Sequence, residues 1–234
     1  MFDAKRLMDQ FLGGSGGQGG GDFLRGAGGG ALAGGLAALV LGTKTGRKLG
    51  GEALKLGGMA AVGALAYKAY NDWQAGKQAA PATAQSTPQP VPMLPAPAGT
   101  PFNPSSDAGQ QTLARHLLRA MIAAAKADGH VDAQEQARIF AEMDKLPLSA
   151  DDKAFVMDEL RAKLDVDAVA GAAATPEEAA EIYAASLLSI DVDNAAERGY
   201  LAMLAARLKL DEGLVAHLHG NVAAATGKSV PITA

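Results

Sequence analysis

From Asp107 onward the apolar residues recur every three to four positions, and nowhere along the chain do apolar and polar residues alternate as in a half-buried strand. That period confines the second half to α-helices. Leu113, Leu117, Ala120, Met121 and Ala124 form one stripe, and Ile139, Phe140, Met143 and Leu146 form another that stops before Pro147. Phe155, Val156, Leu160 and Leu164 make a third, followed by Ile182, Tyr183, Leu187 and Leu188. Leu201, Leu204 and Leu208, then Leu214, Val215, Leu218 and Val222, complete the set. Helix-start chemistry agrees. Ser149 precedes Asp152 by three residues, and Thr175-Pro176-Glu177-Glu178 offers an N-cap hydroxyl, a proline at the first helical position and an acid at the third. The expectation is an all-α fold, a compact bundle of six to seven helices over residues 105–234.

Residues 78–104 separate this bundle from what precedes it. Eight of the eleven prolines fall there and no charged residue does. Such a stretch favours extended conformations and is expected to be a disordered Pro/Ala/Gln linker. Charge changes sign across it. Residues 1–104 carry nine Lys/Arg and five Asp/Glu, a balance of +4, whereas residues 105–234 carry twelve and twenty, a balance of −8. An acidic domain repels phosphates, so no nucleic-acid partner is expected. The chain has no cysteine, which excludes disulfides, thiolate metal sites and cysteine catalysis.

Upstream, residues 1–25 read as a flexible N-terminus and residues 26–77 as a Gly-rich, membrane-associated helical segment. Gly26 to Gly42 is uncharged, about 26 Å long as a helix. A second apolar run covers Leu56 to Tyr67. Gly26, Gly30, Gly34, Ala38, Gly42, Gly46 and Gly50 recur every fourth residue, the spacing that lets membrane helices approach closely. Tyr67, Tyr70 and Trp73 beside Lys68 have the composition of an interfacial aromatic belt. A helical hairpin in a membrane is therefore expected. Its flanks carry Lys5, Arg6, Arg25, Lys68 and Lys77 against Lys44, Arg47 and Lys48 in the turn, which places the helical domain in the cytoplasm. Lys5 and Arg6 lead into Gly-rich sequence, so no signal peptide is expected.

Two acidic turns interrupt the helical domain. Asp128-Gly129-His130-Val131-Asp132 leads to Glu135, and Asp191-Val192-Asp193-Asn194 leads to Glu197. Two readings stand. In the first, Asp132 and Glu135 form a capping box, Asp193 or Asn194 is an N-cap, and Glu197 complements a helix dipole. In the second, several carboxylates at one corner repel one another unless a hard cation sits between them. Neither segment matches the EF-hand loop.

The stretches AKADGHVDAQEQARI and SLLSIDVDNAAERGYLAMLAARLKL are similar to the tellurite-resistance protein B (TerB-like) helical domain. The full layout, with GTKTGRKLGGEALKLGGMAAVGALAYKAYNDWQ before a Pro/Ala/Gln linker, resembles the YebE-like family of uncharacterised bacterial inner-membrane proteins. The resemblance implies two pseudo-symmetric helical halves whose acidic turns face each other and hold a divalent cation, Ca²⁺ or Mg²⁺. The metal candidates it carries over are Asp128, Asp132 and Glu135 with Asp191, Asp193 and Glu197. It also implies a bacterial inner-membrane location.

Neither H-E-x-x-H nor a P-loop is present, and no motif places a histidine as a base, so no enzyme is expected. The leading functional expectation is a membrane-tethered, non-enzymatic binding module that holds a divalent cation between its acidic turns and docks a protein partner. The competing one is a structural membrane protein that forms homo-oligomers through its glycine register, with the acidic turns serving only as helix caps.

Overall fold

A computed structural model describes residues 2–11, 58–78, 95–127, 139, 148–190, 192 and 195–226. Several expectations fall outside those residues. They are the glycine register from Gly26 to Gly50, most of the Pro-rich linker (79–94), and Phe140, Met143 and Leu146.

Eight helices follow one another among the described residues: α1 (Ala4–Phe11), α2 (Gly58–Gln78), α3 (Asp107–Ala125), α4 (Ala150–Arg161), α5 (Val166–Ala170), α6 (Pro176–Leu188), α7 (Ala195–Arg207) and α8 (Glu212–Thr226). The expected all-α bundle is what is found. Its local starts follow from short side chains that satisfy the free amides of a first turn. Ser149 and Asp152 close a full capping box on α4. Thr175 Oγ1 accepts from the Glu178 amide, and Pro176 stands in the first turn of α6. Leu164 departs from the expected stripe: α4 ends at Arg161, and Leu164 is exposed.

Helix α6 is the axis of the bundle. Every residue from Ala179 to Leu188 is buried. Its principal partner is α3, and α2, α8, α7 and α5 pack around the remaining faces. Leu113, Leu117, Leu118, Met121 and Ile122 of α3 meet Ile182, Tyr183 and Leu187 of α6 in one core. The same core takes in Ala4, Leu7 and Met8 of α1, and Met59, Val62 and Leu65 of α2. Ala96 and Phe102 belong to it too, so residues 95–104, the end of the stretch read as linker, fold against the helices. Polar ties reinforce the seating of α1. The Asp3 amide donates to Asp152 Oδ1 at 2.9 Å, and Gln111 Nε2 donates to Asp3 Oδ1 at 2.8 Å.

The membrane expectation is corrected here. Among the described residues no helix is long and apolar enough to cross a membrane, and that finding overturns the expected inner-membrane location. Helix α2, read as part of a membrane hairpin, lies instead on α6 and α8. Tyr67 and Tyr70, read as an interfacial belt, pack edge-on against Phe102 with ring centroids 5.5 and 5.7 Å apart. Trp73 Nε1 donates to Asp211 Oδ1 at 3.0 Å. The physical reason is that small residues on one helix face allow close approach to any apolar neighbour. The buried alanines Ala61, Ala64, Ala66 and Ala69 suit another protein helix as well as a lipid-embedded one.

Candidate functional site

Of the six expected metal ligands, Asp128, Asp132, Glu135, Asp191 and Asp193 lie outside the described residues. Glu197 is described. It sits in the first turn of α7 and is buried. Among the described residues no group of three or more His, Asp and Glu side chains is placed to hold a metal ion. The approach to the first turn is firmly held. Lys126, which caps α3, donates its ammonium to the Glu159 carbonyl at 2.8 Å and to the Ala162 carbonyl, at the C-terminal end of α4. Burial lowers the pKa of that ammonium, and the nearby Glu159 carboxylate opposes the shift. On the second turn Ile190 and Val192 are both buried, which anchors the segment between α6 and α7.

Helix α6 carries polar side chains into the core. The Tyr183 hydroxyl and His219 Nε2 are 2.8 Å apart, both in buried side chains. Burial raises the Tyr183 phenol and lowers the His219 imidazole, so the pair is neutral, with the phenol free to donate to an unprotonated Nε2. One turn away His116 Nδ1 of α3 meets Glu178 Oε1 at 2.7 Å, and the Ala174 amide donates to Glu178 Oε2 at 2.9 Å. Burial alone would raise Glu178; these two contacts outweigh it and lower its pKa. Glu181 is different. It is wholly buried, and neither carboxyl oxygen has a hydrogen-bond partner. Burial first, then the Glu178 charge, raises its pKa well above the ordinary value.

An open cleft of about 630 Å³ lies at the start of α6. One wall is the end of α2, with Tyr70, Trp73 and Lys77; another is the start of α6, with Thr175, Pro176 and Ala179; the turn from Arg207 to Asp211 closes it. Lys77 Nζ lies 3.9 Å from the centroid of the Trp73 ring and 3.2 Å from Asp211 Oδ2. The Trp73 and Lys77 hydrogen bonds, with the Gly213 amide, lower the Asp211 pKa. Arg207 pairs with Asp167 at 2.8 Å on the open side.

The turn itself is a Schellman motif. The Leu210 amide donates to the Ala205 carbonyl and the Lys209 amide to the Ala206 carbonyl. That geometry requires a left-handed residue, normally glycine, yet Lys209 holds it with φ 55°. A left-handed non-glycine residue is strained by about 1–3 kcal/mol. Lys209 thus adds an exposed cation to the rim, and its ammonium meets no carboxylate among the described residues. The aromatic residues of this cleft were visible in the sequence, but as a membrane belt. The cleft joins residues more than 130 positions apart, as the Trp73–Asp211 bond shows, and no local pattern announces it.

A family profile described as a protein of unknown function, DUF533, matches residues 26–222. The chain belongs to the DUF533 family. A Yersinia enterocolitica relative, an uncharacterised protein in the ampR 5′ region, is 34% identical over 98 residues, covering 42% of this chain and 70% of that protein. No solved structure matches. The family match spans α2 through most of α8, so both walls of the cleft lie within it.

Proposed function

We propose that this chain is a non-enzymatic binding module that docks a protein partner in the cleft between α2, α6 and the α7–α8 turn. One observation carries the reading. An indole and a phenol of α2 stand beside Lys77, Arg207 and Lys209, where α2 meets residues 105–234, whose overall balance is −8. Cationic groups beside half-buried aromatic rings, Lys77 and Arg207 each shared with one exposed carboxylate, suit an acidic segment with an apolar anchor residue, since aromatic and arginine side chains dominate protein docking sites. The strained lysine supports it, because strain of this kind persists where the side chain is wanted.

The resemblance to the TerB-like domain belongs to the same proposal, and so does a Ca²⁺ or Mg²⁺ ion at the acidic turns of Asp128, Asp132 and Glu135 and of Asp191, Asp193 and Glu197. Firm anchoring of the flanking backbone by Lys126, Ile190 and Val192 supports the second part, because pre-set ligand spacing favours a hard cation.

Trp73 is the only tryptophan, so its emission reports on the cleft directly. Acidic peptides containing Leu or Phe should change that emission saturably, and matched neutral or basic peptides should not. Lys209→Glu combined with Arg207→Glu should abolish the response. Equal binding of all three peptide classes would overturn the docking reading. Calorimetry of the full chain with Ca²⁺ and with Mg²⁺ tests the cation. Absence of heat, or full affinity in Asp128→Ala/Asp191→Ala, would remove it from the proposal.

A further inference from the structure

Glu181 lies at the centre of α6, wholly buried, with both carboxyl oxygens unpartnered. Opposite it on α2 is Gly63. A Cβ at that glycine would stand 3.3 Å from Glu181 Oε1 and 2.7 Å from the Phe102 carbonyl oxygen. Gly63 therefore brings α2 against both the Glu181 carboxyl of α6 and the turn through Phe102. What these elements present to the carboxyl is one-sided. The Phe102 turn offers a carbonyl acceptor, and residues 95–104 hold no titratable side chain. Gly63 offers none. On α2, Lys68 pairs with Asp72 and Lys77 with Asp211, so both cations are engaged away from it. On α6 itself the charge that bears on Glu181 is Glu178, a negative one, and His116 of α3 is directed at Glu178. On α8 the buried titratable group, His219, is bonded to Tyr183.

We propose that Glu181 is a proton-operated latch for α2: protonated, it lets α2 and the Phe102 turn seat on α6, and loss of the proton drives them off. A carboxylic acid can donate to a carbonyl such as that of Phe102; a carboxylate there finds only acceptors and a like charge. The opening falls on α2 because the side chains it buries are mostly small. Beyond Met59, Val62 and Leu65, its buried side chains are alanines, which bury little apolar area each. Since α2 carries Tyr70, Trp73 and Lys77, its release dismantles one wall of the cleft. That consequence rests on the docking reading, but the latch does not.

The sign follows from linkage. The seated state binds a proton that the released state gives up at an ordinary carboxyl pKa. Seating is complete below that ordinary value, and the opening equilibrium rises by up to about tenfold per pH unit above it until the raised pKa is reached. The test is amide hydrogen exchange of the full chain across that range, corrected for intrinsic rates, with Trp73 emission followed in parallel. Amides of residues 58–78 should lose protection as pH rises in the wild type, and Trp73 emission should shift to the red. Amides of α3 and α6 should stay protected. In Glu181→Gln both profiles should be flat. Glu181→Leu serves as a second uncharged variant should the amide disturb packing. The His116–Glu178 contact is kept in both variants and cancels in the comparison. A wild-type profile that persists in both variants, or α3 and α6 exchanging in step with α2, overturns the latch. No peptide enters the experiment, so its failure leaves the docking proposal standing.

Discussion

Replacing Gly63 with alanine isolates the close approach of α2 to the Phe102 turn. In the interior of a helix, Gly→Ala ordinarily stabilises by about 1 kcal/mol. Gly199 in α7 and Gly220 in α8 meet that condition, because a Cβ at either has nothing within 4 Å. At Gly63 the added carbon would lie 2.7 Å from the Phe102 carbonyl oxygen and 3.3 Å from Glu181 Oε1. The carbonyl is backbone, and its residue is pinned by the Tyr67 and Tyr70 rings, so it cannot swing aside as a side-chain tip would. Overpacking of this kind is unfavourable by about 1–3 kcal/mol. The helix-propensity gain is common to all three sites. The gap between Gly63→Ala and Gly220→Ala is then the overpacking penalty alone, about 1–3 kcal/mol, with about 2–4 °C in Tm per kcal/mol for a chain of this size. Urea and thermal unfolding followed by far-ultraviolet circular dichroism measure it. A Gly63→Ala protein that gains stability as Gly220→Ala does would refute the packing of α2 on this turn.

Other changes test other contacts. Tyr183→Phe strands His219 Nε2 in the core and should destabilise by about 1–3 kcal/mol in urea unfolding. Lys209→Gly should stabilise by about 1 kcal/mol by removing left-handed strain, while weakening acidic-peptide binding measured by Trp73 emission. Glu178 has a lowered pKa in the fold, so its contribution is present above the ordinary carboxyl value and lost as pH falls through the lowered one. Glu178→Gln should therefore reduce stability at neutral pH and flatten the acid limb of a Tm-against-pH curve. An unchanged acid limb would dissociate Glu178 from it.

Much of the bundle was legible because its causes are local. The Leu113–Leu117–Met121 stripe, the Ser149–Asp152 box and the Thr175–Pro176 start each depend on residues within one or two turns, and each is found in place. Leu164 failed as a stripe member for a local reason as well: the helix stops three residues earlier, where Ala162 takes an extended conformation. The acidic turns were equally plain as sequence, and five of their six candidate residues lie outside the described residues. Glu181 was not legible. In an Ala-rich helix beginning Pro176-Glu177-Glu178 it reads as another solvated acid, and only the packing of α2 and α3 around α6 shows it to be buried.

The sequence by itself determined the helical class, several helix starts and several apolar faces, because helix propensity and capping act over three or four residues. The tertiary structure alone decided what covers each face. Helix α2 shows the division. Its small residues and aromatic end predicted a closely packed helix, but a bilayer and a neighbouring helix satisfy the same pattern. Contacts between residues far apart in the chain, such as Trp73 with Asp211 and Gly63 with Phe102 and Glu181, put it against protein. Those contacts also made a cleft wall of the supposed belt and a buried acid of a surface glutamate, because burial depends on every element around a residue and periodicity on its own helix alone.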